Sequence, residues 1–212
     1  MKKYLNVMID TETLSRRLSA AIIQIAAKPF NMDGSRATTK DGDPLPTFDE
    51  YVDAASCAMY GMDFDMETVE WWAKNTPAND CFKYKLYDEP LVIHVALDKF
   101  VAALSDWLQI SDADELKVWC QGTDFDIALL REAFRIVKGS DKNIPWKYRN
   151  VRDARTYFLE AAALFAPDEP DPYSLIMTDG TKHDALADCN WSITAVQWAY
   201  EKYTQRPVGD AE

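Results

Sequence analysis

The strongest constraint on this chain is the placement of three short acidic motifs, far apart in sequence, each set where one kind of element gives way to another. Asp10-Thr11-Glu12 follows an alternating, β-prone run from Tyr4 to Ile9. Gly122-Thr123-Asp124-Phe125-Asp126 follows the short apolar run Leu116 to Cys120 and opens a helical pattern, and His183-Asp184-Ala185-Leu186-Ala187-Asp188 opens the last helical stretch. For the carboxylates to act together, the fold must bring a strand end, a strand-to-helix junction and a helix start to one point. A sheet in which the first strand neighbours the strand before Asp126 does this.

The rest of the pattern fits such a sheet. Ala20 to Ala27 (AAIIQIAA) has the length of a second strand, Asn31 to Pro46 is a glycine- and proline-bearing loop, and Thr47 to Val52 returns as a third strand of an antiparallel meander. The first strand is expected to end at Asp10. Asp65 predicts an N-cap for a helix with Val69, Trp72 and Ala73 on one face. Pro90 to Gln109 predicts a longer helix with Pro90 in its first turn and Leu97, Phe100, Val101, Leu104 and Leu108 at helical spacing. Asp126 opens a helix striped by Leu129, Leu130, Ala133, Phe134 and Val137; the loop Lys138 to Arg149 leads to a strand or helix near Asn150 to Phe158. Ala166 to Tyr173 is a loop, and the last helix runs from about Asp184 to Tyr203. The expected class is α/β: a mixed sheet of three antiparallel strands followed by parallel strands, flanked by helices, in the order of the ribonuclease-H-like fold. Residues 1–205 are expected to form a single domain and 206–212 a flexible tail.

At 212 residues the chain can bury a core without staples, and no apolar stretch approaches the ~20 residues of a membrane span. Its start does not read as a signal peptide. Cys57, Cys81, Cys120 and Cys189 stand at irregular intervals without a Cys-x-x-Cys pair, which speaks for reduced thiols and a cytoplasmic setting rather than a zinc site or disulfide framework. The formal charge of −12 runs against the basic footprint of most nucleic-acid binders. Four liganding carboxylates around two divalent cations would bring it to −8, and the stretch Arg131 to Arg155 carries a local +5 against −17 elsewhere.

Asp10 and Glu12, two apart on a strand, point to the same side. Oxygen-only donors suit a hard divalent ion such as Mg²⁺ or Mn²⁺. Asp126 can reach the same point from the neighbouring strand, and Asp188 on the terminal helix would complete the set, enough for two ions that clamp the attacking and leaving oxygens of a phosphodiester. His183 lies five residues before Asp188, about 140° away on one helix, so the two meet only if His183 sits on the preceding loop, Thr178 to Lys182, or at the first turn. There its imidazole could take a proton from water. Taken singly, each motif has a plainer reading: Asp-x-Glu as a solvated strand end, Phe125-Asp126 as a helix cap, Asp188 as a surface residue. Their order and contexts favour the metal site. His94 reads as a structural residue within a helix. Trp71 and Trp72 are adjacent on a helix and cannot both face one way, so one belongs to the core and the other is free to stack on a base.

These residues resemble the DEDDh branch of the DEDD 3′-5′ exonuclease superfamily, which includes proofreading exonucleases and ribonuclease-T-like enzymes. Asp10 and Glu12 match its first motif, Phe125-Asp126 its second, and His183 with Asp188 its third. Glu67-Thr68-Val69-Glu70-Trp71-Trp72, Trp119 to Phe134, Ile144-Pro145-Trp146-Lys147 and Arg152-Asp153-Ala154-Arg155-Thr156 are similar to exonuclease-VIII-like and bacterial exoribonuclease domains common in phages and prophages. The resemblance spans about residues 4 to 200. It implies that Asp10, Glu12, Asp126 and Asp188 ligate two Mg²⁺ or Mn²⁺ ions, that His183 is the general base, and that Asp124 and Asp184 are not members. Asp153 is left as an outside candidate behind the ligands. Gln24 departs from the acidic residue of many relatives, at a position that is not a ligand.

The implied task is release of nucleoside 5′-monophosphates from single-stranded DNA or RNA or from 3′ overhangs, in a bacterial cell or a phage-infected bacterium, by a protein whose relatives often form homodimers. Thr11, Thr13, Lys147, Arg149 and Trp72 are the expected nucleic-acid contacts. Two rival readings are a non-catalytic nucleic-acid- or partner-binding module on a decayed nuclease fold and a proofreading subunit of a polymerase. The intact five-residue set speaks against the first. No motif announces a 2′-hydroxyl contact.

Overall fold

A computed structural model describes residues 2–75, 89–176 and 183–205. Cys81, the expected loop residues 178–182 and the expected tail 206–212 lie outside the described residues. Five strands form one sheet: β1 (Tyr4–Thr13), β2 (Ile22–Phe30), β3 (Phe48–Tyr51), β4 (Glu115–Cys120) and β5 (Val151–Asp153), in the order β3-β2-β1-β4-β5. β1, β2 and β3 are successive antiparallel neighbours, whereas β4 lies parallel to β1 and β5 parallel to β4. This is the mixed, ribonuclease-H-like sheet expected from the sequence.

Alternation along β1 sends Leu5, Val7 and Ile9 into one core and Met8 into another. The larger core lies under α3 (Ile93–Ile110) and α4 (Asp126–Lys138), through Leu97, Phe100, Leu104, Leu129, Leu130 and Phe134. On the opposite face α5 (Ala154–Phe165) and α6 (Ala185–Gln205) cover Met8, Ala26 and Trp119, α6 with Ala185, Cys189, Ile193 and Val196. α1 (Ala54–Met59) and α2 (Met66–Lys74) fill the connection from β3 to α3.

Element boundaries moved where tertiary partners overrode local signals. β1 does not end at Asp10; its ladder with β2 continues through Asp10↔Ala26 and Glu12↔Gln24 to a bulge before Thr13. Helix α3 starts at Ile93 rather than Pro90. Leu91 is held in extended pairing to the end of β3, its N–H donating to Tyr51 O at 2.9 Å, and the Ile93 N–H is capped from across the chain by the Ser56 hydroxyl at 2.8 Å. Short α1, which periodicity did not reveal, exists because Asp53 accepts from the Ala55 and Ser56 N–H groups. On α2 the Asp65 cap forms as expected and Trp72 is buried, but Ala73 is exposed.

Candidate active site

β4 pairs with β1 only as far as Met8↔Trp119, so β1 runs on past its parallel neighbour. Asp10 and Glu12 project from this overhang on the α6 side, the side of Met8. Into the space beyond β4 comes Asp126, the first residue of α4 and only 4 % exposed. Its Oδ1 accepts from the Thr11 backbone N–H at 3.1 Å and from the Thr11 hydroxyl at 2.8 Å. Thr11, expected to touch nucleic acid, is buried and orients a carboxylate. Thr13 is also buried, its hydroxyl donating to Ser15 O at 2.6 Å.

The third motif arrives on α6. His183 stands outside the helix with a positive φ of 65°, a left-handed backbone that removes the 140° conflict of a continuous helix. Asp184 then caps α6, its Oδ1 accepting from the Ala187 N–H at 3.0 Å, and Asp188 follows one turn later. Ligating atoms of Glu12, His183 and Asp188 lie within 4.8 Å of one another.

Gln24 fixes the position of that helix start, a role not foreseen from sequence. It is 3 % exposed on β2; its Nε2 donates to Asp49 Oδ1 and to the Tyr51 hydroxyl, both at 2.8 Å, and its Oε1 accepts from the Ala185 N–H at 3.0 Å. Tyr51 in turn donates to Asp184 Oδ2 at 3.0 Å. The signal was present as the single polar residue inside AAIIQIAA.

Crowding and burial dominate the electrostatics. Desolvation, then the charges of Asp126, Glu12, Asp188 and Asp184, hold the Asp10 carboxyl well above its usual range. Glu12 is pushed up to about 8 by burial and by Asp188, Asp126 and Asp184. Asp126 is raised to about 6 by burial, held down from a higher value by the two Thr11 donors and the Arg155 cation. Such a cluster is short of positive charge.

A cavity of about 470 Å³ opens beside Glu12, bounded by Thr11, Thr13, Trp71, Phe125 and His183. Of the tryptophan pair, Trp72 is the core member, 5 % exposed with its indole N–H donating to Thr13 O at 3.0 Å, although its ring also reaches the cavity. Trp71 is the exposed member and stands edge-to-face with the His183 ring, centroids 4.6 Å apart.

Other acidic and basic candidates lie elsewhere. Asp124 is exposed, two residues from the buried Asp126. Asp153 caps α5, accepting from the Thr156 N–H at 2.7 Å, and tethers the second motif by accepting from the Thr123 N–H at 3.1 Å. His94 is exposed on the first turn of α3. The structure does not bring Lys147 and Arg149 to the carboxylates. Both reach Glu115, Lys147 at 2.5 Å and Arg149 at 3.9 Å, where Lys2 also binds and the Glu115 carboxyl falls to about 2. Glu115 pairs with Tyr4, six residues or roughly 20 Å along β1 from Asp10. Arg131 and Arg135 are taken by Asp141, and Lys138 by Asp98, so much of the basic stretch is neutralised in place.

A comparison with curated proteins found no match. Among solved structures, the chain resembles the zinc-bound form of an Escherichia coli exonuclease I–single-stranded DNA complex (TM-score 0.60, 13% identity, 96% of this chain and 41% of that one). It is similar also to an apo exonuclease I (TM-score 0.56, 13%, 97% and 46%) and to the E. coli exonuclease I complex with a dT13 oligonucleotide (TM-score 0.53, 11%, 96% and 42%). The chain thus spans less than half the length of these proteins, and at such identity the likeness is one of fold. Residues 5–200 match the family of Rv2179c-like 3′-5′ exoribonuclease domains. The chain belongs to that family.

Proposed function

We propose that the protein removes nucleoside 5′-monophosphates from the 3′ ends of single-stranded nucleic acid or of 3′ overhangs, using two hard divalent cations. The observation that carries this reading is the convergence of Glu12, His183 and Asp188 within 4.8 Å, beside Asp10 and the Thr11-bound Asp126. The donor set fits such ions: four carboxylates, of which Asp10, Glu12 and Asp126 have an affinity for protons raised by burial and crowding. Asp10, Glu12, Asp126 and Asp188 would hold Mg²⁺ or Mn²⁺, which when bound supply Lewis-acid activation of water and stabilisation of the leaving oxygen.

The chain's own groups do the rest. Thr11 holds Asp126 in one orientation, and Gln24 and Asp184 fix the start of α6, and with it Asp188. His183, at the mouth of the cavity, takes the proton of the attacking water. Trp71 offers a face for the terminal base, with Trp72 as its support. Lys147 and Arg149 would touch only a strand long enough to run the length of the sheet back to Glu115. The family's description makes RNA the first substrate to try.

A reducing cytoplasm suits the free, buried Cys57, Cys120 and Cys189, and no helix among the described residues is long and apolar enough to cross a membrane. A homodimer and a single folded unit over residues 1–205 complete the proposal.

The test is digestion of end-labelled single-stranded RNA, single-stranded DNA and duplex of matched sequence, with Mg²⁺, with Mn²⁺ and with excess chelator. Stepwise shortening from the 3′ end that stops in chelator is expected. Undiminished cleavage in chelator, or products cut internally, would overturn the mechanism.

A further inference from the structure

A second cavity of about 470 Å³ lies between the end of β2, the loop from Gly34 to Thr47 and the flank of α6. It shares no lining residue with the cavity beside Glu12. Asn190 lines it and Asp188 does not; two residues apart on α6, they are about 200° apart around its axis. Its chemistry is unusual for this chain. In a protein with 35 acidic residues, none of its lining residues is acidic, and two are cations. Lys28 is half-buried and its Nζ is held at 2.5 Å by the neutral side-chain oxygen of Asn190. Arg36 is exposed at the rim, with no ion pair to any described residue. Between them the floor is apolar, formed by the buried Phe30 and Ile193.

We propose that this groove is a second, non-catalytic site for a nucleotide phosphate. Two cations in a groove with no acidic lining residue attract an anion, although the Asp33 carboxylate holds Ser35 at the rim. An apolar floor beside them suits the rest of a nucleotide, and the volume is that of a small-ligand pocket. The ligand has two sources of the same chemistry: a free nucleoside 5′-monophosphate, or an upstream phosphate of a bound strand. The proposal rests on the exonuclease reading only for where the nucleotide comes from.

The test is calorimetric binding of adenosine 5′-monophosphate, inorganic phosphate and a single-stranded dodecanucleotide to the whole chain in chelator. Chelator removes any metal that could hold a phosphate in the carboxylate cavity. Arg36→Gln, on an exposed loop, should weaken binding roughly fivefold, as for one exposed charge pair, and Lys28→Gln with Arg36→Gln by more than tenfold. Thr47→Glu, which puts a carboxylate on the rim, should abolish binding, with the melting temperature kept in each variant. A loss seen with the monophosphate names the free nucleotide as the source; a loss confined to the dodecanucleotide names the strand. Absence of binding by all three probes, or binding unchanged in the double variant, would overturn the proposal. A chain that cleaves no oligonucleotide yet binds phosphate in an Arg36-dependent way would sink the exonuclease reading and leave the groove standing.

Discussion

Replacing Gln24 with methionine keeps the length and volume of the side chain and removes three hydrogen bonds at once. The largest loss falls on the Ala185 N–H, because Ala185 is fully buried and no water can replace the Gln24 oxygen 3.0 Å away. An orphaned buried donor costs about 1–3 kcal/mol. Asp49 and Tyr51 are half-buried and regain part of their hydration, which adds about 0.5 kcal/mol each, for a total near 3 kcal/mol. For a chain of this size that lowers the melting temperature by roughly 6–12 °C. Because Asp188 and His183 flank the helix start that Gln24 holds, the variant should lose roughly 10- to 100-fold in kcat with little change in KM, the signature of misplaced groups rather than lost binding. Gln24→Glu separates the two halves of the argument. It keeps an acceptor for the Ala185 N–H but loses the donor to Asp49 and sets a second carboxylate beside it, so it should recover part of the lost kcat, more so at acidic pH. Scanning calorimetry and steady-state kinetics with Mg²⁺ read both effects. A Gln24→Met protein that melts within 2 °C of the wild type with unchanged kcat, or a Gln24→Glu protein no better than it, would refute the reasoning.

Three further outcomes are expected. Glu12 has its carboxyl raised from 4.5 to about 8 in the fold, so its contribution to stability is whole below pH 4.5 and is lost as pH rises through 8, with a ceiling of about 5 kcal/mol. In chelator the melting temperature should therefore fall from pH 5 to pH 8.5, and Glu12→Gln should flatten that fall; parallel profiles for the two proteins would disprove it. Asp126→Ala should abolish turnover while Asp124→Ala, an exposed change, keeps most of it, and rates in the reverse order would move the second motif by two residues. His183→Ala should slow hydrolysis by roughly 10²–10⁴-fold, less at high pH where hydroxide is plentiful, with calorimetric Mn²⁺ binding intact; lost Mn²⁺ affinity would make His183 a ligand.

The sheet order, the α4 stripe and the three motifs were legible because each is written locally: strand alternation, helical spacing, and acidic residues at element junctions. What stayed hidden is supplied from a distance. The start of α3 depends on Ser56 and on the pairing of Leu91 with β3, neither visible in the helix's own residues. β1 looks finished at Asp10 because polar residues break its apolar alternation, yet β2 pairs it onward to Thr13. Sequence showed that Trp71 and Trp72 must part, but the Thr13 carbonyl decides which goes inside. The basic stretch looked like a free patch because its counter-charges Asp98 and Glu115 lie outside the window.

The overhang of β1 past β4 ties fold to chemistry. A longer β4 would use the next backbone donors of β1 for its own ladder. Because the β1–β4 pairing stops at Met8↔Trp119, the Thr11 N–H is left facing an open edge, and a buried donor must find an acceptor. The Asp126 carboxylate is that acceptor, drawn in by the turn from β4 into α4. One missing ladder step thus recruits a carboxylate to sit beside Asp10 and Glu12, and the hydrogen bonds from Thr11 offset part of the burial that raises its affinity for protons. Asp10 and Glu12, which sit higher still, have burial and their neighbours' charge working together against ionisation. Among the described residues Arg155 is a counter-cation to Asp126, and the fold gathers carboxyls whose burial and mutual repulsion oppose ionisation.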